Sequence, residues 1–187
     1  MDQREILEQA KQGDEEAFAA LVDAHLARMD ATARLILRDP ELARDAVQEC
    51  LIRAWRDLSH LREPDRLEAW LYRLTVNACF DLLRQRRRRP IEVELEASDS
   101  PTTPDHAASL IEAELIHRAL DRLEPGHRAV VALHYLVGMP LTEVAATLQI
   151  PVGTAKSRLH HSLVTMRSTL PPLGDPSTPT PAGGQLV

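Results

Sequence analysis

The sequence predicts an all-α protein made of two small helical domains that a flexible linker joins: an N-terminal helical bundle and a C-terminal four-helix domain with a helix-turn-helix. Two observations lead to this prediction. Apolar residues recur with helical spacing along almost the whole chain up to residue 170, with little of the alternation expected of strands. Residues 90–106 interrupt this spacing with three prolines and many acidic side chains, a composition typical of an extended linker.

The N-terminal domain, residues 1–89, is expected to contain three long helices. Their apolar stripes lie in residues 15–38, 41–57 and 65–89. Asp39 ends the first helix because a residue that precedes proline disfavours the α conformation. Asp65 is the expected N-cap of the third helix, and Trp55 is expected to face inward from the second.

The C-terminal domain, residues 107–170, is expected to contain four helices. They lie in residues 109–123, 127–137, 141–148 and 152–170, and breaks that contain proline or glycine separate them. Residues 171–187 hold five prolines and three glycines, so this segment is expected to form a disordered tail.

Charge is distributed in blocks along the chain, although the net charge is −6. Residues 51–89 carry a net charge of +5 and residues 127–170 a net charge of +3, whereas the segments that precede each of them are acidic. Two basic segments that alternate with acidic ones suit a protein that meets DNA at two places.

Several classes of protein are disfavoured. The N-terminus is too polar and acidic for a signal peptide, and no apolar run approaches the roughly 20 residues of a membrane span. We therefore expect a cytoplasmic protein without membrane contact. Motifs of metalloproteases, nucleotide-binding loops and serine hydrolases are missing from the sequence, so neither an enzyme activity nor a cofactor is expected.

The two cysteines, Cys50 and Cys79, are expected to be buried free thiols because each falls on the apolar face of a predicted helix. The chain lacks the Cys and His spacings typical of structural zinc sites. No metal site is therefore expected.

Residues 141–167 have the pattern of a helix-turn-helix. A short helix is followed by a break at residues 149–151 and by a second helix. That helix opens with small or polar residues: Gly153, Thr154, Ala155, Lys156, Ser157 and Arg158. A helix that reads the major groove needs an N-terminal half without bulky apolar side chains and with hydrogen-bond donors. Ala145 is small enough to let the two helices cross closely. A generic helical hairpin is the alternative.

Two separate parts of the chain resemble the extracytoplasmic-function sigma factors, the smallest relatives of sigma-70. VGTAKSRLHHSL (152–163) is similar to the recognition helix of that family. DAVQECLIRAWRDL (45–58) and LEAWLYRLTVNACFDLLRQRRRR (67–89) are similar to its core-binding and promoter-melting helices. The resemblance covers about residues 5–170. It implies a transcription initiation factor that binds core RNA polymerase and promoter DNA, and that an anti-sigma factor holds inactive.

Three residues depart from the family pattern. Gln149 stands where the family usually has a turn glycine, which costs about 1 kcal/mol if the backbone is left-handed there. Pro140 replaces the usual serine cap, so the following helix lacks a side-chain acceptor. Ala155 replaces the usual valine. None of the three removes a DNA donor.

The resemblance implies a polymerase-binding stripe on the second helix. Its residues lie at i, i+3, i+4 and i+7 and share one face: Asp45, Gln48, Glu49 and Ile52. The implied partner is the pair of clamp helices of the largest polymerase subunit. A solvated helix face is the alternative.

The resemblance also implies that the loop 58–66 and the next helix read and melt the −10 element. Capture of an unstacked base needs polar groups for its edge and basic groups for the backbone. The side chains expected to contact this element are His60, Arg62, Arg66, Trp70, Arg73 and Asn77. Trp70 also falls on the apolar stripe of its helix, so core packing remains open for it.

The remaining expected contacts lie at the end of the third helix and in the C-terminal domain. A phosphate track is expected at Arg84, Arg86, Arg87, Arg88 and Arg89, with a solvated helix end as the alternative. The side chains expected to contact the −35 element are Thr154, Lys156, Ser157, Arg158 and His161, with Arg158 pointing into the groove or to its phosphates. The flap of the second-largest polymerase subunit is one expected environment of His134, Tyr135 and Leu136, and the core is the alternative.

Three other functions compete with this interpretation. A self-sufficient repressor or activator would need a ligand-sensing or dimerisation domain, and the N-terminal half shows neither. A helical metalloenzyme could draw on the histidines and acids, but His160 and His161 are adjacent and point in different directions on a helix. A helical adaptor without DNA contacts is the third.

Overall fold

The computed structural model describes residues 3–88 and 115–169, and these two stretches contain helices but no strand, as predicted. We call residues 3–88 the N-terminal unit and residues 115–169 the C-terminal unit. The N-terminal unit contains α1 (Gln3–Lys11), α2 (Glu15–Leu37), α3 (Pro40–Asp57) and α4 (Leu67–Arg88). The C-terminal unit contains α5 (115–121), α6 (Pro125–Val131), α7 (Leu141–Leu148) and α8 (Val152–Thr169). The predicted linker and tail lie outside the described residues.

Helices α2, α3 and α4 pack against one another around fully buried side chains that include Met29, Leu71 and Tyr72. Asp39 lies between α2 and α3 and fixes where α3 begins. Its carboxylate accepts hydrogen bonds from the backbone N–H groups of Glu41 and Leu42, at 3.0 and 3.1 Å, so it caps α3. The helix therefore begins at Pro40, where proline is well tolerated in a first turn.

The structure corrects three expectations for this unit. Asp65 is not the N-cap of α4, because Pro64–Arg66 form a separate 3₁₀ turn and α4 begins at Leu67. Trp55 is 40% exposed rather than inward. Helix α1 was not predicted, since Leu7 and Ala10 are its main buried residues and so short an apolar pattern does not stand out.

The predicted helix 127–137 is regular only in its first half. The chain leaves α6 in a π-helical turn over Ala132–Leu136, and Val137 N–H donates to the carbonyl of Ala132 five residues earlier, at 3.1 Å. Gly138 then turns the chain with a φ of +90°, a value that glycine adopts without steric cost.

Helices α7 and α8 form the predicted helix-turn-helix. Gln149 ends α7 in the left-handed conformation, with φ 54° and ψ 43°, so the cost of a residue other than glycine applies here. Pro140 provides no side-chain cap for α7, also as expected. Val144 and Ala145 of α7 and Ala155 of α8 are buried, and α7 packs against α8.

The two units do not stand apart. Helix α2 packs against α6 and its π-helical turn, α4 packs against α7, and the buried apolar residues of both units form one continuous cluster. The expectation that each unit folds separately remains a prediction, and the contacts between the units are described below.

Both cysteines are buried free thiols, as predicted. Burial raises the pKa of Cys50 to about 11 and that of Cys79 to about 12, so neither forms the reactive thiolate at neutral pH. Within the described residues, no set of three or more His, Cys, Asp or Glu side chains is placed to hold a metal ion. In the same part of the chain, no helix combines the length and the apolar character that a membrane span requires.

Candidate nucleic-acid interface

The loop before α4 is held by its apolar residues and presents its polar ones. Two short turns, Leu58–His60 and Pro64–Arg66, build the loop, and α1 contacts both of them. Leu58, Leu61 and Leu67 are buried, whereas His60, Arg62 and Arg66 are exposed. Helix α1 is therefore a support of this loop that sequence reasoning missed.

A cleft of about 820 Å³ brings together most of the side chains expected to contact the −10 element. One wall carries His60, Arg62, Arg66, Trp70 and Arg73, and the opposite wall carries Glu143, Ala146 and Thr147 of α7. Asn77 does not line the cleft, because it lies exposed one turn further along α4. The same cleft is also lined by Asp57, Glu63 and Asp65, and Arg66 pairs with Glu63 at 2.6 Å, so its charge is mixed. Its arginines and its one aromatic ring are groups that single-stranded DNA can use, since bases stack on rings and phosphates pair with arginines.

The position of Trp70 is compatible with both of its expected roles, packing in the core and stacking on a base. It is half-buried, packs against the apolar core and also lines the cleft. Its ring is therefore fixed by the core and presents the rest of its surface to the cleft, where a base can stack.

The N-terminal half of α8 offers an exposed polar surface. Lys156, Ser157 and His161 are exposed and Thr154 is half-buried. The hydroxyl of Ser157 donates to the carbonyl of Thr154, at 3.0 Å. Lys156 makes no ion pair with a described residue, so its ammonium group is available to a phosphate or a base.

Arg158 and His161 lean toward the start of α6. A Cβ atom on Gly126 would lie 3.3 Å from Nη1 of Arg158, so the missing side chain makes room for the guanidinium. The His161 ring lies 5.4 Å from that of His127, between centroids. Burial lowers the pKa of His127, and the neighbouring His161 and Arg158 lower it further. Arg158 is thus half-buried rather than directed freely outward as expected.

The polymerase-binding stripe predicted on α3 is mostly exposed. Asp45 and Gln48 are exposed, and Ile52 is 61% exposed. Glu49 is half-buried and accepts from Nε of Arg53 at 2.7 Å, while Nη1 of Arg53 donates to Asp81 on α4 at 2.8 Å. Glu49 therefore also helps to tie α3 to α4.

Trp55 extends this stripe by one turn, and sequence reasoning missed it. Its ring meets that of Phe18 edge to face, with centroids 5.0 Å apart. Trp55 and Ile52 together form an exposed apolar patch. The sequence pattern pointed to the core for Trp55, because apolar side chains in a helix are usually assigned to the core.

The predicted phosphate track lies at the end of α4. Arg84, Arg86, Arg87 and Arg88 are exposed, and Arg89 lies outside the described residues. Arg84 pairs with Asp81, and Nη1 of Arg86 donates to Asp39 at 3.3 Å. Arginines here also interact favourably with the C-terminal end of the helix dipole.

The π-helical turn displays a second apolar patch. Tyr135 is 59% and Leu136 is 39% exposed, so a core role is wrong for both. His134 is half-buried, and its Nδ1 lies 2.8 Å from the carbonyl oxygen of Met139.

Two family models match the chain, and they divide it as the helices do. The model of Sigma-70 region 2 matches residues 21–89, and that of Sigma-70 region 4 matches residues 113–166. The ECF RNA polymerase sigma factor SigL of Mycobacterium tuberculosis is 35% identical over 158 residues, which cover 83% of this chain and 89% of SigL. The ECF RNA polymerase sigma factor SigW of Bacillus subtilis is 28% identical over 178 residues, which cover 88% of this chain and 94% of SigW.

Solved structures agree with this relationship. CnrH in complex with the cytosolic domain of CnrY matches with a TM-score of 0.65 and 28% identity, over 89% of this chain and 96% of that one. The sigma factor RpoE of Bartonella quintana, in complex with the anti-sigma factor NepR, matches with a TM-score of 0.68 over 81% of this chain and 95% of that one. At 22% identity, the latter match concerns the fold alone. The chain belongs to the extracytoplasmic-function sigma factors of the sigma-70 family.

Proposed function

We propose that the chain directs core RNA polymerase to its promoters through two DNA-reading surfaces. The loop 58–66 and α4 read and melt the −10 element, and the N-terminal half of α8 reads the −35 element. The observation that carries this proposal is the cleft in which His60, Arg62, Arg66, Trp70 and Arg73 meet. Polar edges, basic groups and one ring in the same cleft suit capture of an unstacked base.

The exposed apolar patches fit contacts with polymerase. Ile52 and Trp55 continue the stripe of Asp45 and Gln48, which we assign to the clamp helices of the largest subunit. Tyr135 and Leu136 suit the flap of the second-largest subunit, because the buried centre of an interface is more apolar than its rim and aromatic residues are enriched there. A chain with these partners works in the cytoplasm.

We also propose an anti-sigma factor as a regulatory partner. The support is the relationship to sigma factors that were solved with a bound protein partner. Such a partner would have to cover one of the surfaces assigned above, and the patch of Ile52 and Trp55 offers the apolar area that a protein interface needs.

The proposal is tested by run-off transcription on genomic DNA fragments with core polymerase from the same bacterium. We expect discrete transcripts only when the chain is added. Ile52→Asp should lower polymerase affinity by about tenfold, as expected for loss of one important apolar contact. It should not unfold the chain, because Ile52 is 61% exposed.

The matched control is Arg44→Asp, since Arg44 is exposed on α3 and pairs locally with Glu41 at 2.7 Å. It should bind polymerase as the unchanged chain does. Transcripts that do not depend on the chain would contradict the proposal. Tight, specific binding of promoter DNA without polymerase would favour a self-sufficient repressor or activator instead.

A further inference from the structure

Three basic side chains meet beside the first half of α8, and one of them comes from another helix. Arg158 and His161 lie three residues apart and share one side of α8. His127 of α6 joins them, with its ring 5.4 Å from that of His161, between centroids. We call His127, Arg158 and His161 the basic cluster. It borders the side chains expected to contact the −35 element, since two of its members are among them.

The cluster is held by packing on one side and is open to solvent on the other. A Cβ atom on Gly126 would lie 3.3 Å from Nη1 and 3.6 Å from Cζ of Arg158, so the guanidinium lies against the backbone next to His127. His127 and Arg158 are half-buried, whereas His161 is exposed. A ligand from solution can therefore reach side chains whose positions are already restricted.

The charge of the cluster is not balanced within the part of the chain that the structure describes. There, none of its three side chains forms an ion pair. Glu124 is exposed, and it affects the pKa of His127 less than burial, His161 or Arg158 does. Cations this close together repel one another, so the arrangement favours an anion that lies among them.

His127 is the member whose charge depends on what is bound. Burial lowers its pKa, and His161 and Arg158 of α8 lower it further, while Glu124 raises it slightly. These are the titratable and charged groups that act on His127. The neutral form is therefore favoured at neutral pH in the free chain, whereas an anion beside the ring would favour the protonated form.

We propose that the basic cluster holds one phosphate of the DNA backbone beside the −35 element, and that His127 takes up a proton when this phosphate binds. The inference rests on the proposed function of α8. Phosphate oxygens accept hydrogen bonds from a guanidinium and from an imidazolium at the same time. Because His127 lies outside α7 and α8, the DNA-contacting surface extends beyond the helix-turn-helix. The bound phosphate raises the pKa of His127, so this contribution to affinity is complete below the pKa of the free chain and is lost as pH rises through the pKa of the complex.

The test is fluorescence anisotropy of holoenzyme on a −35 duplex from a promoter found by run-off transcription, at about pH 6 and about pH 8, on either side of the usual histidine pKa. At the lower pH, His127→Gln should bind about tenfold more weakly than the unchanged chain, as expected for one lost charged hydrogen bond. Its salt slope should also be smaller by about 0.9. At the higher pH the two should bind alike, because His127 is then neutral in the complex as well.

Two further variants separate charge from packing. His127→Arg carries a permanent cation and should keep its affinity at the higher pH. His117→Gln removes an exposed histidine of α5 outside the cluster and should bind as the unchanged chain does at both pH values. If His127→Gln weakened binding equally at both pH values, His127 would act only through packing, and the inference would be wrong.

Neutral methylphosphonates, placed one at a time in the duplex, locate the phosphate. At one position, the loss from the methylphosphonate and the loss from His127→Gln should not add. Additive losses at every position would overturn the inference. A phosphate contact carries no sequence information, so the pH-dependent loss should appear on a scrambled duplex too. Equal affinity of the unchanged holoenzyme for both duplexes would therefore count against the proposed function and not against the phosphate contact.

Discussion

Lys156→Ala should weaken binding of holoenzyme to a −35 duplex by roughly 5- to 150-fold while capture of a premelted −10 template stays nearly unchanged. The reason is that Lys156 is exposed in the first half of α8, without an ion pair to a described residue. A lost base contact costs about 1–3 kcal/mol and relaxes specificity at one position. A lost phosphate contact weakens all sequences alike and reduces the salt slope by about one unit.

Arg62→Ala should give the opposite pattern, because Arg62 lies in the cleft and not on α8. It should impair open-complex formation more than −35 binding. Fluorescence anisotropy of holoenzyme on a −35 duplex and on a forked −10 template measures both. If each substitution weakened both templates equally, the basic residues would form only a diffuse electrostatic surface.

Arg158→Ala should be less selective than Lys156→Ala. The guanidinium of Arg158 packs on Gly126, so its removal also loosens α8 from α6. Arg158 lies beside the N-terminus of α6, and the dipole of a helix attracts anions and not cations at that end. Arg158 therefore loses little electrostatic energy if its side chain moves from α6 to a DNA phosphate. A smaller salt dependence of −35 binding would report a lost phosphate contact of Arg158. A lower melting temperature would report the lost packing of α8 on α6.

Ala145→Leu should destabilise the helix-turn-helix and weaken −35 binding. Ala145 is 2% exposed, as expected of a small residue where α7 and α8 pack, and overpacking of a filled core typically costs about 1–3 kcal/mol. For a chain of this size, that corresponds to a fall in Tm of roughly 2–12 °C. Circular dichroism and anisotropy on the −35 duplex measure the two effects.

Thr142→Leu is the matched control for this substitution. It places the same side chain on the same helix, at a position that is exposed, and should leave both Tm and DNA binding almost unchanged. An unchanged Tm in Ala145→Leu would show that the crossing has room for a larger residue, and the packing described here would then be wrong.

The sequence predicts the parts of this fold that depend on local rules. Asp39 and Pro40 mark the corner between α2 and α3 because capping and the restriction before proline act within a few residues. The same holds for α7, whose end at Gln149 follows from the break before Pro151. Most of the side chains in the cleft could be named because a single loop and the start of one helix carry them.

What could not be predicted depends on residues far apart in the chain. Arg38 forms an ion pair with Asp121, 83 positions away in the chain, and no periodicity relates the two residues. Arg128 resembles a surface arginine in the sequence, yet it is buried against the carbonyl of Ile36. The position of Arg158 depends on the absence of a side chain at Gly126, on another helix.

The π-helical turn at Ala132–Leu136 amounts to a one-residue insertion in an otherwise regular helix. Each residue of an α-helix advances its side chains by about 100°, so without the extra residue Tyr135 and Leu136 would turn toward a different side. A homologue with a regular helix here would present other side chains on this face. Alignments of this segment therefore have to admit a single-residue gap before polymerase contacts are transferred from one sigma factor to another.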